Sequence, residues 1–145
     1  MNINSIHGLN TTKRHMKALK NIFLINALIE IAGGIVVMIN PALLLNNPNP
    51  NDMVLNISKA LGIAAFTIGV VSYQLYRHEL LNIRGTKMIA LIFMLYHVLM
   101  AFTFYSMYNI DITPHIGATG LHLVVSIIFA ILYFQTVGIE PKSRK

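Results

Sequence analysis

The stretch "IFLINALIEIAGGIVVMINPALLL", Ile22 to Leu45, decides the fold. Apolar residues fill it, and the polar interruptions are Asn26, Glu30 and Asn40. A run of about 18 apolar residues or more signals a membrane-crossing helix. Glu30 stands near the middle of the run. A charged side chain at the centre of a bilayer costs at least ~2.5–3.5 kcal/mol on insertion scales. The stretch thus implies one span, and inside it a carboxylate that needs a partner.

Three more apolar runs follow, so spans are expected at residues 21–45, 53–76, 86–108 and 115–137. "NNPNPND", Asn46 to Asp52, separates the first two, because its prolines and asparagines cannot continue a helix. "RHELLNIRG", Arg77 to Gly85, and "NIDITP", Asn109 to Pro114, are the other connections. All three are short, which makes sequence neighbours antiparallel neighbours in space. The expected fold is all-α, an integral membrane four-helix bundle running up-down-up-down over residues 21–138. Residues 1–20 form a polar, basic segment, expected as an interfacial helix capped at Thr11 or Thr12, and residues 139–145 a polar tail.

Composition agrees. The chain is 55% hydrophobic and 11% charged, whereas a soluble domain carries about 25% charged residues. Cysteine is absent, which excludes disulfide staples, thiolate metal sites and CxxC redox chemistry. The net charge of +6 comes from basic residues flanking the spans. No contiguous basic face exists to bind nucleic acid. Lys13, Arg14, Lys17 and Lys20, then Arg77, Arg84 and Lys87, then Lys142, Arg144 and Lys145 all fall on one side of the expected membrane. Lys59 alone falls elsewhere, inside a span. The positive-inside rule then makes both termini cytoplasmic. The basic N-terminal segment followed by a long apolar run reads as an uncleaved signal anchor. The lipid bilayer is the first partner, expected to be a bacterial inner membrane. A second copy of the chain or a membrane redox protein is the further expectation.

The polar residues inside the spans carry the functional reading. At ~1.5 Å of rise per residue, Glu30 lies roughly 14 Å and His97 roughly 16 Å from the inner boundary. Lys59 and His122 enter from the outer side, about 9–10 Å deep. Asn26 and Glu30 share a stripe with Gly33 and Val37 at helical spacing. Lys59 shares one with Gly62, Phe66, Gly69, Tyr73 and Tyr76. His97 goes with Met94, Ala101 and Phe104, and His122 with Thr119, Ser126, Phe129 and Tyr133. Polar groups that face lipid find no partner, so Glu30, Lys59, His97, His122 and Asn26 are expected around a common cavity. Taken singly, each has a structural reading: Glu30 bonded to Asn26 or to a histidine, Lys59 reaching to the outer headgroups, and each histidine in an interhelical hydrogen bond.

Three chemistries fit such a cavity. An apolar pocket with a few convergent polar groups suits an amphipathic, quinone- or lipid-like molecule. A carboxylate beside histidines suits proton coupling. Glu30, His97 and His122 have the ligand types of a two-histidine, one-carboxylate site for zinc or non-haem iron, although no short spacing ties them together. A bis-histidine haem would need His97 and His122 at one depth, and counting places His122 a few ångströms nearer the outside. Ser58, Ser72 and Ser126 sit in no nucleophile motif.

"GIVVMINPALLL", Gly34 to Leu45, followed by "SKALGIAAFTIGV", Ser58 to Val70, resembles the first two spans of the DoxX-like small four-helix membrane proteins. The resemblance implies four spans, cytoplasmic ends and an association with membrane redox systems. It assigns no catalytic residue. The first-span glutamate is also similar to that of the small multidrug resistance transporters, in which it exchanges cation and proton. The leading expectation is a protein that binds an amphipathic small molecule, accessory to a redox system. A transporter using Glu30 and a membrane metalloenzyme are the alternatives.

Overall fold

The computed structural model describes residues 3–47, 49–78 and 83–137. Four helices follow one another: α1 (Ile3–Ile39), α2 (Asp52–His78), α3 (Ile83–Asn109) and α4 (Ile116–Val137), with a 3₁₀ turn at Pro41–Leu44. Each contains a stretch long and apolar enough to cross a membrane: Lys17–Ile39, Asp52–Arg77, Lys87–Asn109 and Ile116–Phe134. No more than 33% of any of these stretches is buried inside the bundle. Leu28, Leu99, Phe102 and Phe134 are each at least 63% exposed. An exterior this apolar is what a lipid-facing surface requires, and it marks the chain as an integral membrane protein.

Spans two to four fall close to expectation, but α1 ends at Ile39, short of the expected residue 45, because Pro41 cannot continue the helix and starts the 3₁₀ turn. The segment before residue 20 is not a separate element, since α1 runs unbroken from Ile3 into the first span. The expected tail, residues 139–145, lies outside the described residues. The breaker segment does its work at Asn51, whose side chain accepts the backbone N–H of Val54 and caps α2.

α1 and α2 touch backbone to backbone, and glycine is the reason. A Cβ on Gly34 would come within 2.5 Å of the Phe66 amide nitrogen, and one on Gly69 within 2.7 Å of the Ile31 nitrogen. Small residues permit such approach where lipid offers no hydrophobic drive to press helices together. Asn26 meets Ser72, Glu30 lies beside Gly69, and Gly34 beside Gly62. Rising numbers on α1 thus meet falling numbers on α2. α3 and α4 form the second close pair, with Phe93 against Phe129 and Ser126 against Met94. Among the described residues, no Cα of α2 comes within 8 Å of a Cα of α3; the helices of the two hairpins approach closely along α1 and α4, and their connections meet where the Asn46 N–H donates to the Ile112 carbonyl at 2.8 Å.

Side chains fill the seam between the hairpins in two layers. The first is apolar, built from Leu19, Phe23, Ala90, Phe93, Val125 and Phe129. Its three phenylalanine rings contact one another at 5.6–5.7 Å. The second layer is polar, and it holds the candidate site.

Candidate metal centre

The polar layer grows from the same helix faces as the apolar one. Phe23 and Glu30 on α1, Phe93 and His97 on α3, and His122 and Phe129 on α4 are separated by one or two whole turns. Each helix therefore turns one ring and one polar group to the same seam. Asn26, Glu30, His97 and His122 are all buried, His97 completely.

The hydrogen bonds imply one placement of the protons. Asn26 Nδ2 donates to Ser72 Oγ at 3.0 Å, which turns Asn26 Oδ1 toward His97. His97 Nε2 lies 2.7 Å from that oxygen. An amide oxygen can only accept, so Nε2 carries the hydrogen and His97 Nδ1 presents a lone pair. His122 Nδ1 lies 2.8 Å from His97 Nδ1 and, in this arrangement, donates to it. On the other side, Tyr96 donates its hydroxyl to Glu30 Oε2 at 3.1 Å. Glu30 Oε1 is left over. It stands 3.7 Å from both Nδ1 atoms, beyond hydrogen-bonding range, and it is buried without a partner.

Rings hold the imidazoles in place. Phe129 stacks on His97 at 5.9 Å and Phe104 on His122 at 5.5 Å. The Tyr96 ring stands edge-on to both imidazoles.

Glu30 Oε1, His97 Nδ1 and His122 Nδ1 form a triangle with sides of 2.8, 3.7 and 3.7 Å. A triangle of those sides has a centre about 2.0 Å from every corner, the distance at which zinc takes nitrogen and oxygen ligands. The donor set suits zinc or iron(II). A buried carboxylate oxygen with no donor is costly on its own, and an ion at that centre would satisfy it. The His97 N–H on Asn26 and the Tyr96 hydroxyl on Glu30 are the outer hydrogen bonds that metal ligands of these types commonly have. To join His97 and Glu30 around an ion, His122 would have to carry its proton on Nε2 and leave the Nδ1 lone pair free.

The sequence expectations divide here. Asn26, Glu30, His97 and His122 come together. Lys59 does not join them, because it lies on the exposed side of α2. The buried face of α2 passes through Ser58, Gly62, Gly69 and Ser72. Lys59 follows Ser58 directly, about 100° around the helix from that face. For the same reason Gly34, not Gly33, faces α2, and Tyr73 is exposed. The depth difference between His97 and His122 also disappears, since their rings are in contact. The connection after α3 folds back: the backbone N–H groups of Ile112 and Thr113 both reach the Met107 carbonyl, and Thr113 is buried. α4 therefore starts deeper than α3 ends, and His122 sinks to the level of His97.

Tyr96 and Ser72 were not expected among the site residues. A tyrosine in a span most often anchors at the membrane boundary, and nothing in the pattern sets Tyr96 apart. Ser72 could have been found, since it follows Gly62 and Gly69 around the buried face of α2. No family model, curated protein or solved structure matches this chain.

Proposed function

We propose that this chain is a membrane protein that binds one divalent first-row transition-metal ion inside its helix bundle, with Glu30, His97 and His122 as ligands. The observation that carries the reading is the triangle of donor atoms with the unpartnered Glu30 oxygen at its apex. Three protein ligands leave room on the ion, as in catalytic rather than structural zinc sites. A quinone- or lipid-like molecule is the class of further ligand that the composition favours. A DoxX-like place beside a membrane redox system belongs to the same reading, supported by "GIVVMINPALLL" and "SKALGIAAFTIGV". The ten basic residues flanking the spans support an up-down-up-down chain with both ends cytoplasmic, and a bacterial inner membrane is the setting this reading assigns.

Cobalt(II) titration of the purified protein in detergent tests the metal site. Wild type should take up one ion per chain with a visible d–d band, and Glu30→Gln and His122→Ala should lose it. Wild type that binds no ion, or variants that bind as wild type does, would remove the reading.

One observation favours a second reading. Ser72, Asn26, His97 and His122 form a continuous chain of hydrogen bonds across α2, α1, α3 and α4. The His97–His122 link in it, with the Glu30 carboxylate 3.7 Å from both imidazoles, suits a proton relay. Proteoliposomes containing a pH-sensitive dye would show proton flux in wild type and none in Glu30→Gln.

A further inference from the structure

Among the described residues, two buried side-chain polar atoms have no hydrogen-bond partner: Glu30 Oε1 and Thr119 Oγ1. The metal reading accounts for the first. The second lies one turn before His122 on α4, on the same buried face.

Thr119 differs from two other helical threonines. Thr67 and Thr103, both exposed, turn their hydroxyls back onto the carbonyls of Ile63 and Leu99, at 2.8 and 2.9 Å. That bond to the preceding turn is the ordinary way for a helical threonine to satisfy itself. The equivalent carbonyl for Thr119 belongs to His115, just before α4 begins, and it accepts the Ala118 N–H at 3.1 Å. The Thr119 hydroxyl does not take it and stays unpaired in a buried place. Side chains on a helix lean toward its N-terminus, so the His122 imidazole leans over the turn that carries Thr119. A buried hydroxyl without a protein partner is where an ordered water is found.

We propose that Thr119 Oγ1 holds the exogenous ligand that completes the shell of an ion bound by Glu30, His97 and His122. That ligand is a water molecule, which a small anion can displace. The inference rests on the metal reading and deepens it. The hydroxyl donates to the ligand and so fixes the side of the ion on which it sits.

Azide serves as the probe, followed through the cobalt(II) d–d band. Wild type should bind one cobalt ion and then azide, with a saturable change in the band. Thr119→Val should keep one cobalt ion per chain but bind azide about tenfold more weakly, the loss expected for one hydrogen bond to a charged ligand. Thr119→Ser should restore the wild-type titration. Azide binding that is the same in wild type and Thr119→Val, with cobalt intact in both, overturns this inference and leaves the metal site standing. Thr119→Val that loses cobalt together with azide also overturns it, because the residue would then support the ion and not its ligand. Failure of wild type to bind cobalt removes both.

Discussion

The apolar layer and the polar layer of this bundle are built by the same three helices from the same faces, yet they settle their contacts differently. Phe23, Phe93 and Phe129 meet ring on ring, and nothing in that layer needs a partner from outside. Glu30, His97 and His122 meet around a point that none of them occupies, with one carboxylate oxygen unpaired. A bundle selected only for stability would extend the first layer into the second. The comparison teaches that the rings set the distance between the hairpins, and the polar layer uses that distance.

The largest effect should come from the apolar layer. Phe129 touches Phe23, Phe93 and the His97 ring, and it is fully buried. Phe129→Ala should destabilise the protein by about 3 kcal/mol, the lower end for phenylalanine truncation. Lipid replaces water as the reference here, so the loss is one of dispersion and cavity. Thermal unfolding in detergent measures it. A loss below about 1 kcal/mol would mean that the layer does not set the spacing.

The glycine contact between α1 and α2 sharpens the point with two adjacent residues. Gly34→Ala places a methyl group against the Phe66 backbone, which cannot move aside as a side chain could. It should cost about 1–3 kcal/mol, the usual penalty of overpacking. Gly33→Ala meets nothing within 4 Å. It should be neutral or should stabilise by up to about 1 kcal/mol through helix propensity. Equal effects at the two positions would break the account of this seam.

These expectations show what was legible in the sequence. The four spans could be read because membrane helices advertise themselves by length and apolarity, and the first run alone nearly suffices. Asn26, Glu30, His97 and His122 could be read as a group because a polar residue in a span has few places to go. Lys59 could not be placed, because its position depends on a rotation of α2 that Ser58, Gly62, Gly69 and Ser72 decide together. Gly33 and Gly34 offered the same chemistry, and only contact with Phe66 distinguishes them. The depth of His122 depended on how the connection after α3 folds back onto Met107, which residue counting does not reveal. The triangle of donor atoms depended on ångström distances between three helices, with no sequence spacing to announce it.

Replacing part of the polar layer by apolar groups tests the comparison from the other side. In Glu30→Leu with Tyr96→Phe, the unpaired oxygen and the hydroxyl that served its neighbour both go. The metal-free protein should be as stable as wild type or more so by about 1–2 kcal/mol, as when buried polar sets give way to packed apolar ones. Cobalt binding should vanish. A double variant that unfolds would mean the polar layer is a structural requirement.

The smallest effect should come from Ser72, which touches no proposed ligand. Its hydroxyl accepts from Asn26 Nδ2 and thereby keeps Asn26 Oδ1 turned to His97. Without that acceptor the Asn26 amide can flip and offer its NH₂ to His97 Nε2. His97 would then carry its proton on Nδ1, the atom that must face an ion. Ser72→Ala should therefore lower stability by only about 1 kcal/mol, the value of one hydrogen bond. It should still weaken cobalt binding about tenfold, in the range seen when outer hydrogen bonds of metal ligands are removed. Ser72→Thr, which keeps the hydroxyl, should restore cobalt binding. If Ser72→Ala lowers stability and leaves cobalt affinity as it was, the serine is only a helix contact. Asn26 would then hold its orientation through His97 alone, and the proton assignment at Nδ1 would lose its anchor on α2.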